Sequence, residues 1–127
     1  SNPATSYVEN SDDNNINFTV VFSNRKRNIK GLRIINGFAK NNNLYMSNNQ
    51  VKTIVIKGYD NASIKPSFEK TWNLKQTIDY QIIKFDFPDC DQLEIESTEI
   101  YKGTKYNDTC IAEFDILTDD GWLISDK

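Results

Sequence analysis

The chain has 127 residues, of which 38% are hydrophobic and 12% are aromatic. This length is sufficient for one domain with a hydrophobic core, and the composition is that of a globular protein rather than a disordered segment. The balance of 15 basic and 18 acidic residues gives a net charge of −3, so no basic surface for nucleic acid or an anionic membrane is expected. Histidine is absent, which excludes every His-containing catalytic triad and the usual zinc ligand.

Alternation of apolar and polar residues dominates the chain, and no segment sustains a helical period. Such alternation is typical of half-buried β-strands, and Pro88 is expected to end one of them because it cannot donate to a central ladder. The sequence therefore predicts an all-β fold, an antiparallel β-sandwich or jelly roll. The predicted strands lie at 16–22, 31–35, 51–57, 68–74, 83–87, 93–101 and 110–117.

Strand order then sorts the connections between the strands. If consecutive strands are antiparallel, their connections fall alternately at opposite ends of the sandwich. One end receives the segment before Ile16 and the connections 36–50, 75–80 and 102–109, which are rich in aromatic and amide side chains, Tyr80 among them. Because loops longer than about 12 residues are uncommon without a function, this end is the candidate binding face.

The same argument separates the two cysteines. Cys90 is predicted in a connection at one end, whereas Cys110 opens a strand at the other. A strand between them spans roughly 25 Å, far beyond the ~7 Å between Cα atoms that a disulfide allows. We therefore expect two free thiols, which do not identify the cellular compartment.

Three segments carry a resemblance to a known family. They are 45–51, Gly31-Leu-Arg-Ile-Ile-Asn-Gly-Phe38 and Tyr101-Lys-Gly-Thr-Lys-Tyr-Asn-Asp-Thr-Cys-Ile-Ala-Glu113. They resemble the discoidin-like glycan-binding domain found at the front of the streptococcal NAD-glycohydrolase toxin and in many bacterial surface proteins. The resemblance extends from Asn2 to about Leu117, with three departures. Gln50 stands where a basic residue is common. Tyr7 stands where Trp is usual, and the family's opening strand and Asp-Gly turn have no counterpart, which suggests a fragment.

The resemblance implies a galactose-binding-like β-sandwich over 1–117 without catalytic activity, followed by a tail or linker over 118–127. It implies a carbohydrate-binding module of a bacterial surface or secreted protein, extracellular or periplasmic, joined to other domains of the same polypeptide. The expected partner is a glycan or cell-surface carbohydrate, with no nucleic acid and no direct membrane insertion.

Sugar binding needs flat rings for stacking and amides or carboxylates for hydroxyl groups. The candidate face offers both kinds of side chain. The predicted glycan-binding residues are Tyr7, Glu9, Asn36, Phe38, Tyr45, Asn48, Asn49, Tyr106 and Asp108. The alternative for each is structural: Phe38 and Tyr45 would fix a long loop, and Asp108 would cap a turn before its strand.

Related sandwiches use an inward-leaning Glu to help coordinate a structural Ca²⁺, an ion that prefers several oxygen ligands. By this resemblance Glu113, together with Thr5 and backbone carbonyls, is the possible metal site. The alternative is a solvated carboxylate or an ion pair between Glu113 and Arg33.

Two other function classes remain open from the residues alone. A structural or protein-docking domain within a larger protein is the main alternative. A carboxylate-based glycosidase, which Glu94, Glu96 and Glu99 could suggest, is the weaker one. Glu94 and Glu96 share one face of a strand, and no second carboxylate stands plainly across a cleft. Trp72 alternates in step with Phe68 and Leu74, so we expect it in the core.

Overall fold

A computed structural model describes residues 5–9, 16–22, 25–36, 49–60, 63–77, 79–104 and 109–123, leaving aside the side chains of 5–9, 36 and 109–112. These ranges contain nine β-strands. They are β1 (Thr5–Glu9), β2 (Asn17–Phe22), β3 (Arg27–Asn36), β4 (Asn49–Tyr59), β5 (Phe68–Asn73), β6 (Tyr80–Cys90), β7 (Gln92–Tyr101), β8 (Thr109–Thr118) and β9 (Gly121–Trp122).

The strands form two sheets. The first has the order β1-β2-β7-β4-β5, and the second has the order β6-β3-β8 with β9 beside β8. Every pairing within them is antiparallel, and one short parallel contact between Asn49 of β4 and Thr109 of β8 joins the two sheets. The predicted all-β, antiparallel sandwich is confirmed.

The core lies between the two sheets and follows the period of two along each strand. On β2, Phe18, Val20 and Phe22 are buried. The ring of Phe18 lies 4.8 Å from that of Phe114 on β8, so one aromatic contact spans the two layers. Aliphatic side chains fill most of the remaining interior: Ile29, Leu32, Ile34, Ile54, Ile56, Ile83, Leu93, Ile95 and Ile116.

The strand ends confirm the sorting of the connections. We call the long-loop end the one where β3, β5 and β7 finish and where β4, β6 and β8 begin. The opposite end is the short-loop end, where Asp91 is the one residue between β6 and β7. The segment 37–48 starts and finishes at the long-loop end, as do 74–79 and 102–108.

β3 and β6 run several residues further than predicted at the short-loop end. Pro88 does not end its strand, because β6 is an edge strand that pairs only with β3, where a missing N–H costs no ladder bond. The chain takes a positive φ of 56° at Asp89, whose N–H donates to Asn28 Oδ1 at 3.0 Å. Arg27 then pairs with Cys90, after two register shifts along β3 and β6.

The expectation for Trp72 is wrong. This side chain shares the inner side of its sheet with Ile54, but β5 is an edge strand, so the ring is 37% exposed. Lys70 Nζ lies 5.2 Å from the ring centroid. Alternation gave the correct side of the sheet but could not show how far the second sheet extends over it.

The folded unit also continues past the predicted boundary at residue 117. Leu117 pairs with Trp122, and the N–H of Leu123 donates to the Ile116 carbonyl at 2.9 Å. Leu123 is buried in the core. The residues from Gly121 to Leu123 are therefore part of the sandwich rather than of a linker.

Cys90 is a free cysteine, as predicted, but it is the last residue of β6 rather than part of a connection, and it is fully buried. Burial raises the pKa of its thiol to about 11. Cys90 pairs with Arg27, the first residue of β3. Ile111, which follows Cys110 in β8, pairs with Asn36, the last residue of β3. The two cysteines thus lie at opposite ends of the sandwich, and no bridge can join them.

Candidate functional site

The base of the long-loop end is built from two buried amide side chains, Asn49 and Gln50, at the start of β4. Asn49 Oδ1 accepts the N–H of Gly103 at 2.7 Å. Gln50 Oε1 accepts a hydrogen bond from Gln76 Nε2 at 2.6 Å. Because a buried amide is costly unless its hydrogen bonds are made, these two contacts fix the positions of 74–77 and 102–104 relative to β4.

Further contacts hold the connection between β5 and β6. The Tyr101 hydroxyl donates to the Leu74 carbonyl at 2.9 Å. Gln81 bonds Lys75 in both directions: its Oε1 accepts the Lys75 N–H at 2.7 Å, and its Nε2 donates to the Lys75 carbonyl at 2.8 Å. These hydrogen bonds hold Leu74 and Lys75 at the start of the connection that leads to Tyr80, the first residue of β6.

A cleft of about 110 Å³ opens on the outer face of the second sheet, next to the long-loop end. It is lined by Arg33, Ile35, Tyr80 and Glu113. The strand register explains the grouping, since Ile35 pairs with Tyr80 on one side and with Glu113 on the other. Tyr80 is 58% exposed, so its aromatic ring lies at the surface of the cleft.

Arg33 is held in place by three neighbours. Its guanidinium donates to Asp115 Oδ2 at 3.3 Å and lies 4.7 Å from the Trp122 ring centroid and 5.8 Å from that of Tyr80. Asp115 is buried, and its Oδ1 accepts the N–H of Ile116 at 2.8 Å. The positive charge in the cleft is therefore matched by a buried negative charge and fixed by two aromatic rings.

The predicted glycan-binding residues are only partly brought together. Asn49 is fully buried below the surface, so a direct contact with a ligand does not fit, and its side chain instead positions Gly103. Tyr7 pairs with Val20 in the middle of β1, not in a loop at the long-loop end. Glu9 pairs with Phe18, which pairs with Ile95, so Glu9 lies level with the middle of the first sheet. Asn36 ends β3 at the long-loop end.

The other predicted glycan-binding residues lie outside the described part of the chain. They are Phe38, Tyr45, Asn48, Tyr106 and Asp108. Arg33 and Ile35 were not predicted as site residues. The available signal was Arg33 itself, a charged residue inside an apolar run, on the side of the strand opposite Leu32 and Ile34.

The expected calcium site does not fit this arrangement. Glu113 is exposed and lies on the outer face of the second sheet, beside Ile35, rather than leaning inward. Thr5 pairs with Phe22 on the far edge of the first sheet, at the short-loop end. Among the side chains that the structure describes, no group of three Cys, Asp or Glu residues could hold a metal ion.

The three strand carboxylates considered for a glycosidase have structural partners on the outer face of the first sheet. Glu94 accepts a hydrogen bond from the Tyr59 hydroxyl at 3.0 Å, and burial together with Glu94 raises the pKa of Tyr59 to about 12. Glu96 accepts from Asn17 at 3.3 Å, and Glu99 accepts from Thr53 at 2.7 Å. This row of satisfied carboxylates stabilises a sheet face.

No helix in the described ranges is long and apolar enough to cross a membrane. Comparison with solved structures returns folds of the same type. The F5/8 type C domain of a Bacteroides fragilis protein has a TM-score of 0.52 and 14% identity, covering 88% of this chain and 71% of that domain. A histidine mutant of the lectin binding domain of Lectinolysin, complexed with Lewis b, has a TM-score of 0.54 and 13% identity, covering 87% and 69%.

No curated protein sequence matches the chain. The family described as the NAD glycohydrolase translocation F5/8 type C domain matches residues 1–117. The matched residues contain β1 to β8, apart from Thr118 at the end of β8, and so they contain strands of both sheets. The chain belongs to the NAD glycohydrolase translocation F5/8 type C domain family.

Proposed function

We propose that this domain is a non-catalytic, carbohydrate-binding module that takes its glycan at the long-loop end, as part of a bacterial surface or secreted protein. The observation that carries the proposal is that the strand ends that flank 37–48, 74–79 and 102–108 all lie at one end of a sandwich of this family. The buried amides of Asn49 and Gln50 bond Gly103 and Gln76 in two of those connections. Loops held on a rigid scaffold are the usual location of binding residues in proteins.

The similarity in fold to a lectin binding domain supports the same proposal, because that domain was solved with the glycan Lewis b. At 13% identity the similarity concerns the fold, so the sugar bound by this chain is left to experiment. Tyr45 and Asp108 are the predicted contacts, one for stacking and one for hydroxyl groups.

A glycan array tests this proposal directly. We expect the wild-type domain to bind at least one neutral glycan, and Tyr45→Ala and Asp108→Ala to lose most of that binding. Ile64→Ala is the matched control, because Ile64 is 97% exposed in the connection between β4 and β5 at the short-loop end. An array without any bound glycan contradicts the proposed function. Normal binding by both variants contradicts only the assignment of these two residues.

A docking domain is the second candidate, favoured by the exposure of Tyr80 and Ile82 on the edge strand β6. In that case the partner is another domain of the same polypeptide, and Ile82→Lys weakens the contact between them. Co-purification of the domain with the rest of its polypeptide, expressed separately, distinguishes the candidates. Docking predicts a complex lost in Ile82→Lys, whereas glycan binding predicts no effect of this substitution on the array.

A further inference from the structure

We propose that the cleft formed by Arg33, Ile35, Tyr80 and Glu113 is a second sugar subsite, which binds one neutral hexopyranose ring on the outer face of the second sheet. This inference rests on the proposed function and deepens it. Ile35 lies one residue before the end of β3, so the cleft adjoins the long-loop end. A glycan held by the loops can therefore continue across the edge of the sandwich onto the sheet.

Tyr80 provides the stacking surface. Its ring is 58% exposed at the start of an edge strand, where no further strand covers it. The half-buried Ile35 lies beside it in the register and adds an apolar floor. The C–H face of a pyranose ring packs on such a surface, and an aromatic residue loses little side-chain entropy when it does so.

Arg33 and Glu113 provide polar groups of opposite type next to the floor: Arg33 lies two residues before Ile35 on β3, and Glu113 pairs with Ile35 from β8. A guanidinium donates hydrogen bonds and a carboxylate accepts them, so together they match a pair of adjacent hydroxyl groups. Arg33 is already held by Asp115 and by the rings of Trp122 and Tyr80. A donor fixed before the ligand arrives loses less entropy on binding than a mobile one.

The charges of the cleft favour a neutral sugar over an acidic one. Asp115 already neutralises Arg33, and Glu113 adds a second carboxylate at the cleft surface. A uronic acid or a sialic acid would bring a third carboxylate next to these two. Like charges at such short range oppose binding, whereas a neutral hexose meets no such repulsion.

The size of the cleft limits the ligand to a single ring. Sites for drug-sized molecules measure roughly 300–1,000 Å³, whereas this cleft measures about 110 Å³. We therefore expect weak binding of monosaccharides and a larger contribution when the ring is part of a longer glycan, because the second contact is then intramolecular.

The test is an NMR titration of the ¹⁵N-labelled domain with three matched pairs of sugars. Each pair is a neutral hexose and its uronic acid: glucose and glucuronic acid, galactose and galacturonic acid, and mannose and mannuronic acid, at equal ionic strength. For at least one neutral hexose, we expect shifts of the backbone amides of Arg33, Ile35, Tyr80 and Glu113. The corresponding acid should bind about tenfold more weakly.

Three variants separate the contributions of the side chains. Tyr80→Ala should abolish the shifts, and Tyr80→Phe should retain them, because the ring is kept. Glu113→Gln should weaken binding of the neutral hexose and reduce the difference in affinity between the hexose and its uronic acid. Trp72→Ala is the matched control, since Trp72 is an exposed aromatic residue on another edge strand. A native amide spectrum verifies that each variant is folded.

The outcomes distinguish this inference from the proposed function. Shifts confined to the long-loop end, or unchanged binding in Tyr80→Ala, overturn the subsite while the proposed function stands. Equal or tighter binding of the acids overturns the neutral-sugar specificity. If no hexose shifts any amide, the subsite is overturned, and the glycan array decides the proposed function separately.

Discussion

The short-loop end and the long-loop end of the sandwich are built in different ways. At the short-loop end, Asp120 forms ion pairs with Arg25 and Arg27, and Asp60 forms one with Lys26. Gly58, Phe87 and Cys90 pack closely beneath them. At the long-loop end, the buried Asn49 amide and the Tyr101 hydroxyl bond backbone groups of the adjoining connections, and the buried Gln50 amide bonds the Gln76 side chain. We infer that the first end is built for stability and the second for holding loops.

This difference has a physical reason. Short connections leave few backbone N–H and C=O groups without a partner in the sheet, so few polar side chains are needed to bond them. The charged side chains at the short-loop end lie in solvent, where ion pairs contribute little stability. Longer connections carry more N–H and C=O groups that need partners. Polar side chains inside the end of the sandwich meet that need, and they simultaneously fix the loops for recognition.

The largest effect is expected at the short-loop end, from Gly58→Ala. The added Cβ would lie 2.8 Å from Cys90 Sγ and 2.9 Å from Phe87 Cδ2, in a fully buried site. Overpacking of this kind lowers the free energy of unfolding by roughly 1–3 kcal/mol. Urea denaturation measures this decrease in the free energy of unfolding. Glycan binding by the folded fraction should stay unchanged.

A double-mutant cycle with Cys90→Ala sharpens this prediction. Removing Sγ eliminates one of the two close contacts, so Gly58→Ala should cost less in that background. Equal costs in both backgrounds would show that the thiol does not limit the space at Gly58.

The next effect is expected at the long-loop end, from Asn49→Ala. This substitution leaves the Gly103 N–H without its acceptor and lowers the free energy of unfolding by about 1–3 kcal/mol. In contrast to Gly58→Ala, it should also speed amide exchange at Gly103 and weaken glycan binding. Thr98→Ala, at an exposed position of β7, is the control. If Asn49→Ala changes stability without changing binding, the two ends do not differ in the proposed way.

The two ends also differ in how far the sequence predicts them. Alternation and strand order predicted the sandwich and placed Asn36, Asn49 and Tyr80 at one end, because these properties depend on the period of two and on antiparallel order. The same reasoning failed for Trp72 and Asn49, since burial of a strand end depends on how far the opposite sheet reaches. That distance is a tertiary property that no local pattern contains.

The cleft shows the same limit. Arg33 and Tyr80 are 47 positions apart, and only the pairing of β3 with β6 brings them together. The register of β3 against β6 could not be predicted from the alternation pattern, and two register shifts occur along this pair of strands. Glu113, in contrast, could be recognised as a polar residue alternating with Phe114 and Ile116, although its side of the sheet was predicted incorrectly.

A smaller effect is expected from Tyr101→Phe, which removes the hydrogen bond to the Leu74 carbonyl. The ring remains, so the contact with Lys52 is kept, and the free energy of unfolding should fall by about 0.5–1.5 kcal/mol. Amide exchange over 74–76 should become faster. Tyr59→Phe is the matched control, because it loses a similar bond to Glu94 on a sheet face and should leave 74–76 unaffected.

The smallest effect at neutral pH comes from the Cys90 thiol at the short-loop end. Burial raises the pKa of this thiol from its ordinary 9.0 to about 11. The unfolded chain therefore releases this proton at a lower pH than the folded chain does. Its contribution to stability is fully present below about pH 9 and is lost as the pH rises towards 11.

Comparison of the wild type with Cys90→Ala by urea denaturation from pH 7 to 10.5 isolates that contribution. The difference in unfolding free energy should be constant up to about pH 8.5 and should shrink above it, since only the wild type carries the thiol. A difference that stays constant over the whole range would show that the thiol is not protected by burial. Glycan binding below pH 9 should be identical in the two proteins, because Cys90 lies a whole strand length from the long-loop end.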